Sequence, residues 1–261
     1  MRPKPYVGIT GYETAAQVAA VRNSVPADRL MMVGCGMRGH PTRWNPDKWP
    51  NRCPHPSKLP SIFGSHPNVL NVLHFTPLEG CDLFEHMCMA HQAAGPNFHG
   101  IQLNTPWPDV GSLIRYKSRF QSAVITIPLQ PDALDVVGRN PTAIARRLKE
   151  YDGIADYTLI DASAGYGQEL DVDFTLKCYD AISTLMPNFG LVAAGGLCVD
   201  NAEAKLAPIL KHFEVGTDME GRVRTPPPDD HLILAEAIRS MQTIDALLRK
   251  FEAQRKPQLV N

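Results

Sequence analysis

Short apolar runs alternate along this chain with longer stretches whose apolar residues recur every three or four positions. Eight runs stand out, at 6–10, 30–34, 69–75, 99–103, 123–127, 157–160, 190–193 and 213–217. Each is too short for a stable helix, and most end in Gly, Pro, Asn or Asp, as do strands of a parallel sheet buried on both faces. Between them, 14–22, 83–93, 141–151, 174–185 and 201–211 read as helices. The stretch 230–251 places Leu234, Ile238, Met241, Leu248 and Phe251 on one helical stripe. Eightfold alternation of strand and helix predicts an α/β fold, a single (β/α)8 TIM barrel spanning 1–261. A doubly wound open sheet is the competing arrangement. It usually carries a glycine-rich turn after its first strand, and Gly8-Ile9-Thr10-Gly11 is not a G-x-G-x-x-G.

The connection after the second run, 35–60, breaks the rhythm. It holds Pro41, Pro46, Pro50, Pro54, Pro56 and Pro60, so it is not one helix. Arg38, Arg43, Lys48, Arg52 and Lys58 face a lone Asp47, and Trp44 and Trp49 lie among them. In a barrel this loop emerges at the C-terminal end of the strands, where barrel enzymes keep their sites. It is either a basic, proline-stiffened lid over an anion or a solvated excursion whose tryptophans pack on outer helices.

Composition narrows the function classes. Of 261 residues 20% are charged, with a net charge of −1, which gives no electrostatic reason to expect nucleic acid or an acidic membrane surface. No window approaches the ~20 apolar residues of a membrane span, and the N-terminus does not resemble a signal peptide. Six scattered cysteines without a C-x-x-C pair read as thiols of a reducing compartment. A soluble, cytoplasmic protein is expected, and nothing in the sequence excludes a homo-oligomer. The 23 prolines, about 9% against a usual ~5%, cluster after predicted strands and point to stiff loops on the site face.

Three strand ends carry candidate chemistry. Leu159-Ile160-Asp161 ends a strand in a carboxylate whose apolar neighbours favour acid–base use, or else in a turn-capping Asp. Ala194-Gly195-Gly196-Leu197 allows close backbone approach to an anion after the seventh strand, where barrels often bind phosphate, or is simply a tight turn. Gly216-Thr217-Asp218-Met219-Glu220-Gly221-Arg222-Val223-Arg224 offers the eighth-strand half of such a site, with Arg222 and Arg224 as clamps. Cys81, Glu85, Cys88 and His91 have helical spacing that reads as core packing rather than a metal site. Among the histidines only His74 sits at a strand end.

Gly8-Ile9-Thr10, Ile101-Gln102-Leu103, the Leu-Ile-Asp ending at Asp161, Ala194-Gly195-Gly196-Leu197, and Gly216-Thr217-Asp218 with Gly221 together resemble phosphoribosylanthranilate isomerase along most of the chain. The resemblance implies a cofactor-free, metal-free barrel acting on a small phosphorylated or otherwise anionic metabolite of tryptophan biosynthesis. The family's reaction is an Amadori rearrangement, in which an acid opens a sugar ring and a base removes the C2′ proton. It implies Asp161 as general acid, Gly195, Gly196 and Gly221 around the phosphate, Asp218 closing the last strand, and Arg38 or Arg43 on the substrate carboxylate. The chain departs from the family in three places. Val7 stands where the family's catalytic cysteine is expected, Asn104 follows Leu103, and Glu220 stands where the family offers hydroxyls to the phosphate. Cys35 is the candidate for a displaced base. A diverged activity, another isomerase or lyase of the phosphate-binding barrels, and a non-catalytic anion-binding barrel are the alternatives.

Overall fold

All eight apolar runs form strands in the computed structural model, which describes residues 2–43, 49–161 and 169–255. The strands are β1 Val7–Thr10, β2 Met31–Arg38, β3 Val69–Thr76, β4 Gly100–Leu103, β5 Val124–Leu129, β6 Tyr157–Ile160, β7 Gly190–Ala193 and β8 Gly216–Met219. They pair in parallel in sequence order. The barrel closes where Val7 meets Thr217 and Gly8 meets Asp218. The helices are α1 Ala15–Asn23, α2 Leu59–Ile62, α3 Leu83–Ala94, α4 Val110–Arg119, α5 Pro131–Val136, α6 Pro141–Leu148, α7 Val172–Leu185, α8 Ala202–Leu210 and α9 Leu234–Arg255. This is the (β/α)8 barrel expected from the pattern.

Polar side chains start these helices by accepting their first free amides. Thr14 forms a capping box with Gln17, and Asp82, Asp109, Asn140 and Asp171 cap α3, α4, α6 and α7. Each cap is worth about 1 kcal/mol and fixes where a strand-to-helix loop ends. Those loops frame the C-terminal mouth of the barrel.

Side chains alternate between two cores. Val7, Ile9, Met31, Val33 and Cys35 belong to the large layer between strands and helices. Tyr6, Met32, Leu70, Val72, Tyr157, Leu159, Val192 and Ala194 form a separate cluster inside the barrel. On α9, Met241, Leu248 and Phe251 of the predicted stripe are buried, whereas Leu234 is exposed. No helix among the described residues is long and apolar enough to cross a membrane.

Two strand expectations need correction. β2 runs on to Arg38, so Gly34-Cys35-Gly36 is strand rather than turn, and the connection begins at Gly39 rather than residue 35. The glycines are there because the interior is crowded: a Cβ on Gly34 would sit 2.6 Å from Thr10 Oγ1, and one on Gly36 would sit 2.7 Å from Cys53 Sγ. β8 covers Gly216–Met219 rather than 213–217, which puts Asp218 inside the strand. Trp44, Asp47 and Lys48 of the basic connection and the 162–167 stretch after Asp161 lie outside the described residues.

Candidate active site

The alternation that buries Tyr6, Met32, Leu70 and Val192 continues toward the strand ends, where the inward positions turn polar. Thr10 of β1, His74 of β3, Gln102 of β4 and Asp218 of β8 all point to the barrel axis and are linked to one another. Thr10 Oγ1 lies 2.8 Å from His74 Nε2 and donates to Asp218 at 3.2 and 3.3 Å. Gln102 Nε2 lies 3.1 Å from His74 Nδ1 and 3.4 Å from Asn104 Oδ1. The network is buried, with His74 and Asp218 each only 6% exposed.

Above it opens a cavity of about 250 Å3. Its walls include Arg38, Trp49, Arg52, Cys53, His74, Thr76, Gln102, Asn104, Gln130, Asp132, Asp161, Gly195, Gly196, Asp218, Glu220 and Gly221. The volume suits a small metabolite rather than a polymer. Gly195 adopts a φ of +109°, which only glycine takes without strain, and Gly196 follows in the left-handed region at +55°, so the chain turns sharply at the cavity edge.

Burial pushes the Asp218 carboxyl well above the usual carboxylate range; Glu220 and Asp161 add to the rise, and the hydrogen bond from Thr10 opposes it. His74, desolvated beside it, is pushed down to about 3. The 3.5 Å approach of His74 Nε2 to Asp218 Oδ2 is therefore a contact of a neutral imidazole, not an ion pair. Burial also raises Glu220, against the pull of Arg52, whose Nη1 lies 3.1 Å from Glu220 Oε1. A carboxyl and an imidazole joined through one hydroxyl, both lining the cavity, can move protons to and from a bound molecule.

Of the residues singled out from sequence, Asp161, Arg38, Asn104, Gly195, Gly196, Asp218 and Gly221 line this cavity. Four others do not. Cys35 fails as a displaced base because the strand register turns it outward. It is fully buried behind the barrel wall with its thiol 3.5 Å from the Tyr12 carbonyl, and burial raises its pKa strongly. Arg43 is exposed and lies off the cavity wall, and Arg222 pairs with Glu169 at 3.6 Å on the rim. Arg224 is no clamp: its side chain is fully buried and holds the Gly11 and Asp230 carbonyls and Glu13. Val7 belongs to the outer layer, so the β1 residue nearest the site is Thr10.

On α3, Cys88 is buried and Glu85 is exposed, so the helical spacing does not make one buried stripe. No group of three metal-binding side chains occurs among the described residues. Cys53, Gln130 and Asp132 were not singled out. Inward parity along β5 points to Gln130, while Cys53 and Asp132 carry no sequence signal.

No family model and no curated protein matches the sequence. Solved structures do. The Pyrococcus furiosus N-(5′-phosphoribosyl)anthranilate isomerase superposes with a TM-score of 0.61 at 16% identity, over 93% of this chain and 99% of that one. The Thermococcus kodakaraensis phosphoribosyl anthranilate isomerase gives 0.58 at 15%, over 94% and 99%. The catalytic domain of a Pyrococcus furiosus chitinase gives 0.56 at 10%, over 96% and 97%. Likeness at such identities is likeness of fold, and a shared barrel hosts many chemistries.

Proposed function

We propose that this barrel is an acid–base isomerase of small polyhydroxylated metabolites, of the type that converts an aldosylamine to a ketosamine. One observation carries the reading: a buried carboxyl with raised pKa, Asp218, shares a metabolite-sized cavity with a second buried carboxyl, Asp161. Asp161 gives a proton to the ring oxygen, the ring opens to an imine, and Asp218 takes the proton from the neighbouring carbon. A carboxylate whose pKa is raised is a stronger base toward a carbon acid than an ordinary one. Thr10 and His74 hold Asp218 in place and give its proton a route. Asp218 thus stands in for the missing cysteine, beside the strand where the resemblance expects one. The likeness to phosphoribosylanthranilate isomerases supports a barrel suited to this chemistry.

The test is a panel of aldosylamines, with phosphoribosylanthranilate and unphosphorylated analogues among them, assayed for the ketosamine product. Wild type converts at least one member, and Asp161→Asn lowers kcat on it by about 10²-fold or more. Full activity of Asp161→Asn removes Asp161 as the acid. No conversion of any member refutes the reading and favours a barrel that only binds.

A further inference from the structure

Loops after the seventh and eighth strands are where barrels commonly hold phosphate, and here Gly195, Gly196 and Gly221 line that end of the cavity. Glu220 lines it too, with its side chain 24% exposed toward that space. Its counter-charge is already shared. Arg52 donates to Asp230 from Nε at 2.8 Å and from Nη2 at 2.7 Å, meets Glu220 with Nη1 at 3.1 Å, and lies 4.3 Å from the Trp49 ring centroid. Turning Arg52 toward an anion would take the bidentate pair from Asp230, whose side chain is only 3% exposed. The other arginines near the cavity among the described residues are otherwise engaged: Arg222 pairs with Glu169, Arg224 is locked to Asp230 and Glu13, and Arg38 enters from β2 and donates to Thr76 Oγ1 of β3 at 3.5 Å. Among the described residues, one guanidinium held between two carboxylates gives this end of the cavity more negative than positive charge, and a phosphate would add about two more negative charges.

We infer that Glu220 is a specificity-determining residue that bars a phosphate from the β7–β8 end of the cavity and accepts a hydroxyl there instead. A sugar hydroxyl satisfies both kinds of group on this wall, donating to Glu220 and accepting from backbone amides. The inference rests on the cavity's being the substrate site and names its substrate class: polyhydroxylated, and unphosphorylated at this end. Selection here works by repelling the wrong ligand as much as by holding the right one.

Sulfate, which is a dianion at any working pH, probes this without a substrate. The experiment is calorimetric titration of the full chain with sodium sulfate at pH 7.5, for wild type, Glu220→Gln and Glu220→Ser, each first checked for an unchanged melting transition. Wild type shows no saturable binding up to the highest sulfate concentration used, and at least one variant saturates with a Kd at least about tenfold below that concentration. Saturable binding by wild type overturns the inference whether or not the variants fold. Folded variants that bind no better than wild type overturn it as well, because Glu220 is then not the barrier. The outcome is separable from the acid–base reading: turnover of a phosphorylated aldosylamine would sink the Glu220 assignment and leave Asp161 and Asp218 in their roles.

Discussion

Asp218→Asn is expected to lower turnover by about 10² to 10⁴ while making the fold more stable at neutral and alkaline pH. Activity falls because asparagine keeps the shape and still accepts from Thr10, yet cannot take a proton. The gain in stability comes from linkage. Asp218 has a folded pKa raised above its unfolded value, so its favourable contribution is complete below about 4 and is lost as pH rises through the folded pKa. Asparagine has no charge to bury and loses nothing in that window. His74 acts in the opposite sense. Its folded pKa is depressed to about 3, so it supports the fold above about 6.5, and that support is lost as pH falls toward 3. Melting curves from pH 3 to 9 separate the two. The slopes from His74, Glu220 and the other titrating groups are common to both proteins, so the wild-type minus Asp218→Asn difference isolates Asp218 and falls as pH rises above about 4. A pH-independent offset between the two proteins, or unimpaired turnover, rules out the assigned role.

Arg52→Met is expected to cost about 3 kcal/mol of stability in urea denaturation, the scale for removing one partner of a buried ion pair. Asp230 would lose both short hydrogen bonds and keep only Arg224, whose Nε lies 3.3 Å away. The connection after β2 would also lose one of its fastenings to the loop after β8, where Asn51 Nδ2 still donates to the Asp229 carbonyl at 2.6 Å. Adding Asp230→Leu to Arg52→Met should recover most of the loss, because the stranded carboxylate is then gone. Arg139→Met is the control. Its pair with Asp135 at 2.7 Å is solvent-exposed on both sides, and breaking such pairs costs about 1 kcal/mol or less. A loss below that level for Arg52→Met would show that Arg52 does not pin the two loops.

The barrel was legible because parallel strands covered on both faces read as unbroken apolar runs, and two of them, 157–160 and 190–193, match β6 and β7 residue for residue. Errors fell where the interior stops being apolar. Phe213 and Val215 look more like strand than Thr217 and Asp218 do, yet β8 carries Asp218 because the mouth of the barrel is where a polar residue can face inward. Gly34-Cys35-Gly36 looks like a turn, yet its glycines answer to crowding from Thr10 and Cys53, contacts that no local pattern reveals. Asp161, Asp218 and the Gly195-Gly196 turn were readable from their places at strand ends, and they do line one cavity. The basic connection is only partly legible: Arg38, Trp49 and Arg52 do line the cavity, yet Arg52 is committed to Glu220 and Asp230, the latter 178 residues away in sequence, a pairing that no local pattern reveals.

Solvent deuterium tests the central claim most directly. On any aldosylamine that the protein converts, NMR of the product formed in D₂O should show one deuterium at the carbon next to the new carbonyl position. Wild type should produce it, and Asp218→Asn, folded and melting no lower, should not. Product without solvent deuterium at that carbon, or incorporation by Asp218→Asn at the wild-type rate, would contradict proton abstraction by Asp218 through this cavity.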